Sequence, residues 1–353
     1  MTSFPTRSRF IGRLCTTAAL IAFASHPASI AELVAQEPAQ LASVGPCQLA
    51  GGGRISDCRL AYRVFGRLNA DRSNVVLIPT WLQGRSEDWI PYLGPQGYVD
   101  TTRFHVIVVG ALGDGRSSSP STVPAREREA FRGLTIGDMV QSQHRLLTQR
   151  LGISHLHAVA GFSMGGMQAL EWAVRYPAFL DRAVSIAGAP RIGAFDHLMW
   201  NTVLQVIENG LRSRTPADTV WDQLARLEAL FIQTPAAVNN SSWDSVIRAA
   251  ATVGRTYRST WELEDFAAQL RAIRHHDISG SFGSDLARAA GTIKARVFLV
   301  YSPDDHMVTA GPALAFAPLI RADTLSVPSA CGHLLFMCEQ NRLAAAVRKF
   351  LAE

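Results

Sequence analysis

The 353-residue chain carries 48% hydrophobic and 18% charged residues, the balance of an ordinary globular protein with ample material for a buried core. Its 34 Lys and Arg against 29 Asp and Glu leave a net charge of +5, and three of those cations, Arg7, Arg9 and Arg13, stand at the extreme N-terminus. No basic block interleaved with aromatic residues remains elsewhere, which argues against a nucleic-acid partner.

The first segment reads as a targeting signal. The three arginines precede an apolar stretch at residues 14–24, and small residues suited to cleavage follow at Ala24, Ala31 and Ala35. The stretch is shorter than the ~20 residues a bilayer span needs, so no stable membrane anchor is expected. Cys15 follows Leu14 rather than the small residue that precedes a lipid-modified cysteine. Residues 1–35 are therefore set apart as signal peptide and leader, with a periplasmic or secreted destination. Four cysteines remain, Cys47, Cys58, Cys331 and Cys338, an even number for an oxidising compartment. Cys47 and Cys58 flank Gly51, Gly52 and Gly53, which would turn the chain back and set the two cysteines opposite each other across a hairpin. A bridge there is worth about 3 kcal/mol in the chain-entropy model. Cys331 and Cys338 flank His333, and spacing alone leaves their pairing open.

Residues 58–66 alternate like an edge strand. Short β-branched runs follow at 74–78, 105–109, 156–160, 183–187, 296–301 and 324–327, separated by helical patterns, as in a mostly parallel sheet covered on both faces. Thr135 with Asp138 forms a capping box for a helix bearing Ile136, Met139, Val140, Leu146, Leu147 and Leu151, closed by Gly152. The alternation stops after Gly188. From about Phe195 to Arg274 the chain reads as successive helices, one opening at Thr215 and Pro216. The expected organisation is an α/β core at 36–194 and 291–353, with a helical cap at 195–290 roofing the carboxyl ends of the strands, where open α/β sheets bind ligands.

The chemistry centres on residues 161–173, GFSMGGMQALEWA. The Gly-x-Ser-x-Gly pattern between a strand and a helix is the context of a nucleophile elbow, in which the small residues let the backbone pass close to an exposed hydroxyl, here Ser163. A serine needs a base, and the base needs an acid to hold its tautomer. In this arrangement the chain order is serine, acid, histidine. Asp305 follows the strand ending near Tyr301 and His333 the strand ending near Val327, so both are candidates. Asp305 is preferred over the adjacent Asp304 on its spacing to Val308. Two backbone donors for an oxyanion are assigned to Met164, at the helix start, and to Leu82, in the turn after the first central strand, with Trp81 as the neighbouring choice.

These segments resemble the homoserine O-acetyltransferase family of α/β-hydrolases. The similarity lies in GFSMGGMQALEWA, in LTIGDMVQSQHRLLTQRLGISHLHAV before it, in GALGDGRSSSPS and in HHDIS, and extends over most of the chain from Tyr62 onward. The resemblance implies a catalytic Ser163, Asp305 and His333 with oxyanion donors Leu82 and Met164, acting through an acyl-enzyme. Two departures bear on the activity. The family places an arginine on the first cap helix to grip the substrate carboxylate, and Trp200 stands at that place here; without the arginine a buried carboxylate has no bidentate partner. The leader would also carry the chain away from cytoplasmic acetyl-CoA. The expected activity is thus that of an exported serine hydrolase that cleaves a carboxylic ester. An O-acyltransferase and a non-catalytic binding protein on the same fold are the alternatives. The partner expected is a small-molecule ester or acyl donor, with a homodimer compatible with the sequence. Neither a cofactor nor a metal is expected. The GDGRSS segment at 113–118 lacks the lysine and spacing of a phosphate-binding loop, and His275, His276 and Asp277 read as lining a turn.

Overall fold

The computed structural model describes residues 38–353; the expected signal peptide and its cleavage site lie outside the described residues. The chain opens with β1 (Gln40–Ser43), β2 (Cys47–Gln48), β3 (Arg54–Ile55) and β4 (Arg59–Phe65). Then β5 (Val75–Pro79), β6 (His105–Val109), α1 (Ile136–Arg145), β7 (Leu156–Phe162), α2 (Met164–Arg175) and β8 (Leu180–Ile186) alternate. A run of helices follows, α3 (Ala194–Ser213), α4 (Ala217–Glu228), α5 (Pro235–Asn239), α6 (Trp243–Thr260), α7 (Leu263–Arg274) and α8 (Leu286–Ala290). The chain closes with β9 (Arg296–Tyr301), α9 (Ala310–Phe316), β10 (Asp323–Ser326), α10 (Leu335–Cys338) and α11 (Gln340–Ala352).

Eight strands form one sheet in the order β1-β4-β6-β5-β7-β8-β9-β10. The pairings of β4 with β1 and β6 are antiparallel, and all others are parallel. The expectation of an edge strand at 58–66 is therefore corrected: β4 is an interior strand, and the four-residue β1 covers its outer side. Arg63 gives the β4 sequence its polar alternation, but Leu60, Ala61, Tyr62 and Phe65 are buried. The glycine hairpin forms, pairing β2 with β3, but Cys47 lies opposite Ile55 rather than Cys58. The Cys47–Cys58 disulfide closes just beyond the hairpin, with its Cα atoms 5.6 Å apart.

Successive residues of the central strands face opposite sides, as the two-residue period of a strand requires. Val75, Leu77, Ile107, Val109 and Val159 join one buried cluster with α1 and α2. Val76, Ile78, Val106, Val108 and Ala160 join another with Trp89, Phe336 and α11. Both faces being covered, the strands must be apolar throughout, which is why they read as runs. The capping box on α1 is made as expected: Thr135 N donates to Asp138 Oδ2 (2.9 Å) and Asp138 N to Thr135 Oγ1 (3.1 Å). No helix among the described residues is long and apolar enough to cross a membrane.

Because β5, β6, β7, β9 and β10 run parallel, the loops after them emerge at one edge of the sheet. The helices inserted between β8 and β9 are tied to those same loops. Gln269 and Asp265 of α7 bond the loops after β5 and β6, and Ile232, after α4, bonds the loop after β10.

Candidate active site

Ser163 joins β7 to α2 at φ +55° and ψ −123°, a conformation that side chains other than glycine rarely adopt. The turn is possible only because its neighbours lack side chains. A Cβ on Gly161 would be driven into the main chain of Gly165, and one on Gly165 into the carbonyl oxygen of Pro79. The backbone is pinned on both sides, Ser163 N donating to Ile186 O (2.8 Å) and Met167 N to Ser163 O (3.0 Å). The hydroxyl is thereby held at the carboxyl edge of the sheet, on a residue only 6% exposed.

His333 reaches that hydroxyl from the loop after β10, with Nε2 2.8 Å from Ser163 Oγ. Its Nδ1 lies 2.7 Å from Asp305 Oδ2. An ionised carboxylate only accepts hydrogen bonds, so Nδ1 carries the proton and Nε2 is left to accept from the serine. The other carboxylate oxygen, Oδ1, accepts from Met307 N (2.9 Å) and Val308 N (3.0 Å), which fixes the carboxylate plane. The neighbouring Asp304 points elsewhere, with Oδ2 3.3 Å from Ser329 N. The three side chains singled out from the sequence are thus joined in one chain of hydrogen bonds, all buried. The histidine turn is held by two further features: His333 N donates to Ile232 O (3.0 Å), and a Cys331–Cys338 disulfide, with Cα atoms 6.5 Å apart, closes it onto α10.

The turn after β5 is closed by Gly84 N donating to Trp81 O (2.9 Å), so Leu82 is its second residue. Neither the Leu82 nor the Met164 amide donates to another group among the described residues. The Trp81 ring instead packs in an aromatic cluster, 5.9 Å from Phe162 and 5.8 Å from Phe336. Phe162 in turn lies 5.1 Å from the His333 ring.

Trp200, on α3, is buried, its ring 6.2 Å from Phe231 and its Nε1 without a partner among the described residues. A carboxyl group that gave no signal in the sequence also comes near the site. Glu228, the last residue of α4, accepts from Tyr257 Oη (2.5 Å), and burial raises its pKa above the ordinary carboxyl range. The main-chain link is short: Glu228 O accepts from Ile232 N (2.9 Å), and Ile232 O accepts from His333 N.

The two weaker motifs take structural places. In the GDGRSS segment, Asp114 Oδ1 accepts from Arg116 N (2.8 Å) and Ser117 N (2.6 Å), so those amides turn inward onto their own loop's carboxyl. Burial pushes the Asp114 carboxyl up to about 7. His276 Nε2 donates to Ala189 O (2.9 Å), and burial lowers its pKa to about 4, so the ring is neutral and lines the turn. Asp277 Oδ1 accepts from Ser279 N (2.8 Å). No group of three or more metal-ligating side chains occurs among the described residues.

A family profile described as alpha/beta hydrolase fold matches residues 74–340, and the chain belongs to that family. Ethyl acetate hydrolase of Pseudomonas veronii is 32% identical over 312 residues, covering 84% of this chain and 89% of that protein. Homoserine O-acetyltransferase of Haemophilus influenzae strain 86-028NP is 27% identical over 346 residues, 87% of this chain and 96% of that one. Among solved structures, the acetyl esterase MekB superposes with a TM-score of 0.84 at 30% identity, over 90% of this chain and 98% of that one. The chain is an α/β-hydrolase enzyme whose relatives are esterases and homoserine acyltransferases.

Proposed function

We propose that this chain is an exported serine esterase that cleaves a small carboxylic ester, an acetyl ester first among them, through an acyl-Ser163 intermediate. The observation that carries the reading is the bonded series Ser163 Oγ, His333 Nε2, His333 Nδ1, Asp305 Oδ2. Ser163 Oγ attacks the ester carbonyl as His333 Nε2 takes its proton. Asp305 keeps the imidazole turned correctly and stabilises the imidazolium. The oxyanion takes the amides of Leu82 and Met164, each such donor being worth ~3 kcal/mol in the transition state. Collapse returns the proton from Nε2 to the departing alkoxide, releasing the alcohol. Water, deprotonated by the same nitrogen, then frees the acid and restores the serine.

Hydrolysis is favoured over acyl transfer to an amino-acid alcohol. Glu228, the carboxyl linked through Ile232 to His333, offers no cation to pair with an acceptor's carboxylate. Trp200 offers an uncharged indole where the transferases hold an arginine. The relatives called ethyl acetate hydrolase and acetyl esterase support the acetyl group as first choice. Two disulfides support an oxidising compartment, where acyl-CoA is absent.

The test is a series of p-nitrophenyl esters of increasing acyl length, assayed with wild type and Ser163→Ala, with and without acetyl-CoA and homoserine. Activity highest on the acetate, lost in the mutant and indifferent to the added pair supports the reading. Acetylhomoserine formed at a comparable rate overturns it. Fractionation of cells expressing the full chain with a C-terminal tag tests export; a full-length cytoplasmic product overturns that part.

A further inference from the structure

The turn that bears the Leu82 amide is unusual at its third residue. Gln83 has φ +56°, in the left-handed region that this turn position normally reserves for glycine or asparagine, yet it is a buried glutamine, 1% exposed. It stays there because of bonds from outside the turn. Gln83 N donates to Gln269 Oε1 (2.7 Å), and Gln83 Nε2 donates to the same oxygen (3.0 Å) and to Gly113 O (3.0 Å). Gln269, fully buried on α7, donates from its own Nε2 to Leu112 O (3.1 Å). The orientation of this amide is fixed, since exchanging its oxygen and nitrogen would set two donors of Gln83 against an NH2 group. The approach is tight enough that a Cβ on Gly113, at φ +88°, would lie 2.9 Å from Gln269 Cγ. One side chain therefore ties together the loop after β5, the loop after β6 and the inserted helices.

We propose that Gln269 is a positioning residue of the oxyanion site: by holding Gln83 in its left-handed conformation it gives the turn a single shape and aims the Leu82 N–H at the charge that develops above Ser163. The inference rests on the reading of Ser163 as nucleophile. Its action falls on the tetrahedral intermediate and the transition states that flank it, where the oxyanion develops, while the ester carbonyl of bound substrate gains little from the same donor.

Gln269→Met keeps the length and removes all three bonds. Gln269→Glu keeps an acceptor for both donors of Gln83 and, protonated in this buried place, a donor for Leu112 O. The measurements are kcat and KM on p-nitrophenyl acetate per titrated active serine, affinity for a simple boronic acid that forms a tetrahedral adduct on Ser163, and thermal unfolding. Gln269→Met is expected to lose about 10- to 100-fold in kcat with KM within about twofold, with boronate affinity falling alongside kcat. Gln269→Glu is expected to recover most of both. A folded Met variant that keeps kcat and boronate affinity overturns the proposal. If the Met variant does not fold, the Glu variant decides: wild-type kcat and boronate affinity support the assignment, and a folded Glu variant as impaired in both as a mispositioned donor predicts overturns it. Ser163→Ala assayed alongside separates the two claims, since activity surviving there defeats the nucleophile reading whatever the Gln269 variants do.

Discussion

Ser163 and His333 meet across 2.8 Å but are held in place by opposite means. The serine is fixed from within its own strand and helix, by the missing side chains of Gly161 and Gly165 and by main-chain bonds to the adjacent strand and along its own helix. The histidine sits on a turn with little rigidity of its own, fixed by a carboxylate from one loop, a carbonyl from the inserted helices and a disulfide to the next helix. A nucleophile supported by local sterics tolerates almost no substitution nearby. A base supported by several distant contacts can lose them one at a time.

The largest effect expected is on the link between the two. Asp305→Asn keeps the shape but lets the ring take the wrong tautomer, and kcat is expected to fall by about 10⁴ with the melting temperature little changed. A loss under tenfold would mean that the carboxylate only supports the loop. Next is the serine side: Gly165→Ala forces a methyl group against the Pro79 carbonyl, and a loss of about 3 kcal/mol or more in stability, read by denaturant unfolding, is expected. On the histidine side, replacing Cys331 and Cys338 by serine should cost about 2 kcal/mol in stability and also lower kcat, because the freed turn carries the base. The same change at Cys47 and Cys58, on a hairpin away from the site, should cost a similar amount and leave kcat alone; equal effects of the two pairs on kcat would erase the contrast drawn here.

A smaller effect comes from Asp114, whose ordinary pKa near 3.8 is raised to about 7 by burial. Between those values the folded chain holds a proton that the unfolded chain has released. The stability this group contributes is therefore complete below about pH 4 and is lost as the pH rises through 7. Asp114→Asn keeps an oxygen for the amides of Arg116 and Ser117 and should flatten that decline, by about 1 kcal/mol or more between pH 4 and pH 8 in urea unfolding. The least effect is expected at Asp304, whose replacement by asparagine should leave kcat within about twofold, because its carboxyl only accepts a long bond from Ser329.

What could be read from the sequence follows the same division. The elbow, the capping box of Thr135 and Asp138 and the central strands are local patterns whose cause lies within a few residues. The choice of Asp305 over Asp304 rested on its distance from Val308, and Val308 N does bond the Asp305 carboxylate. The role of Gln269 had no local mark: its partner Gln83 is 186 positions away, and a buried glutamine bonding main chain has no pattern of its own. Glu228 was hidden for the same reason, being one of several charges on an amphipathic helix until the fold links it through Ile232 to His333. The interior position of β4 was missed because its cover, β1, is four residues with exposed or half-buried side chains and so gives no hydrophobic signal.

The bond from His333 N to Ile232 O joins the segment after α4 and the imidazole into one mechanical unit. A strain on that segment is therefore passed to the histidine turn, where the Asp305 carboxylate and the Cys331–Cys338 bridge resist it.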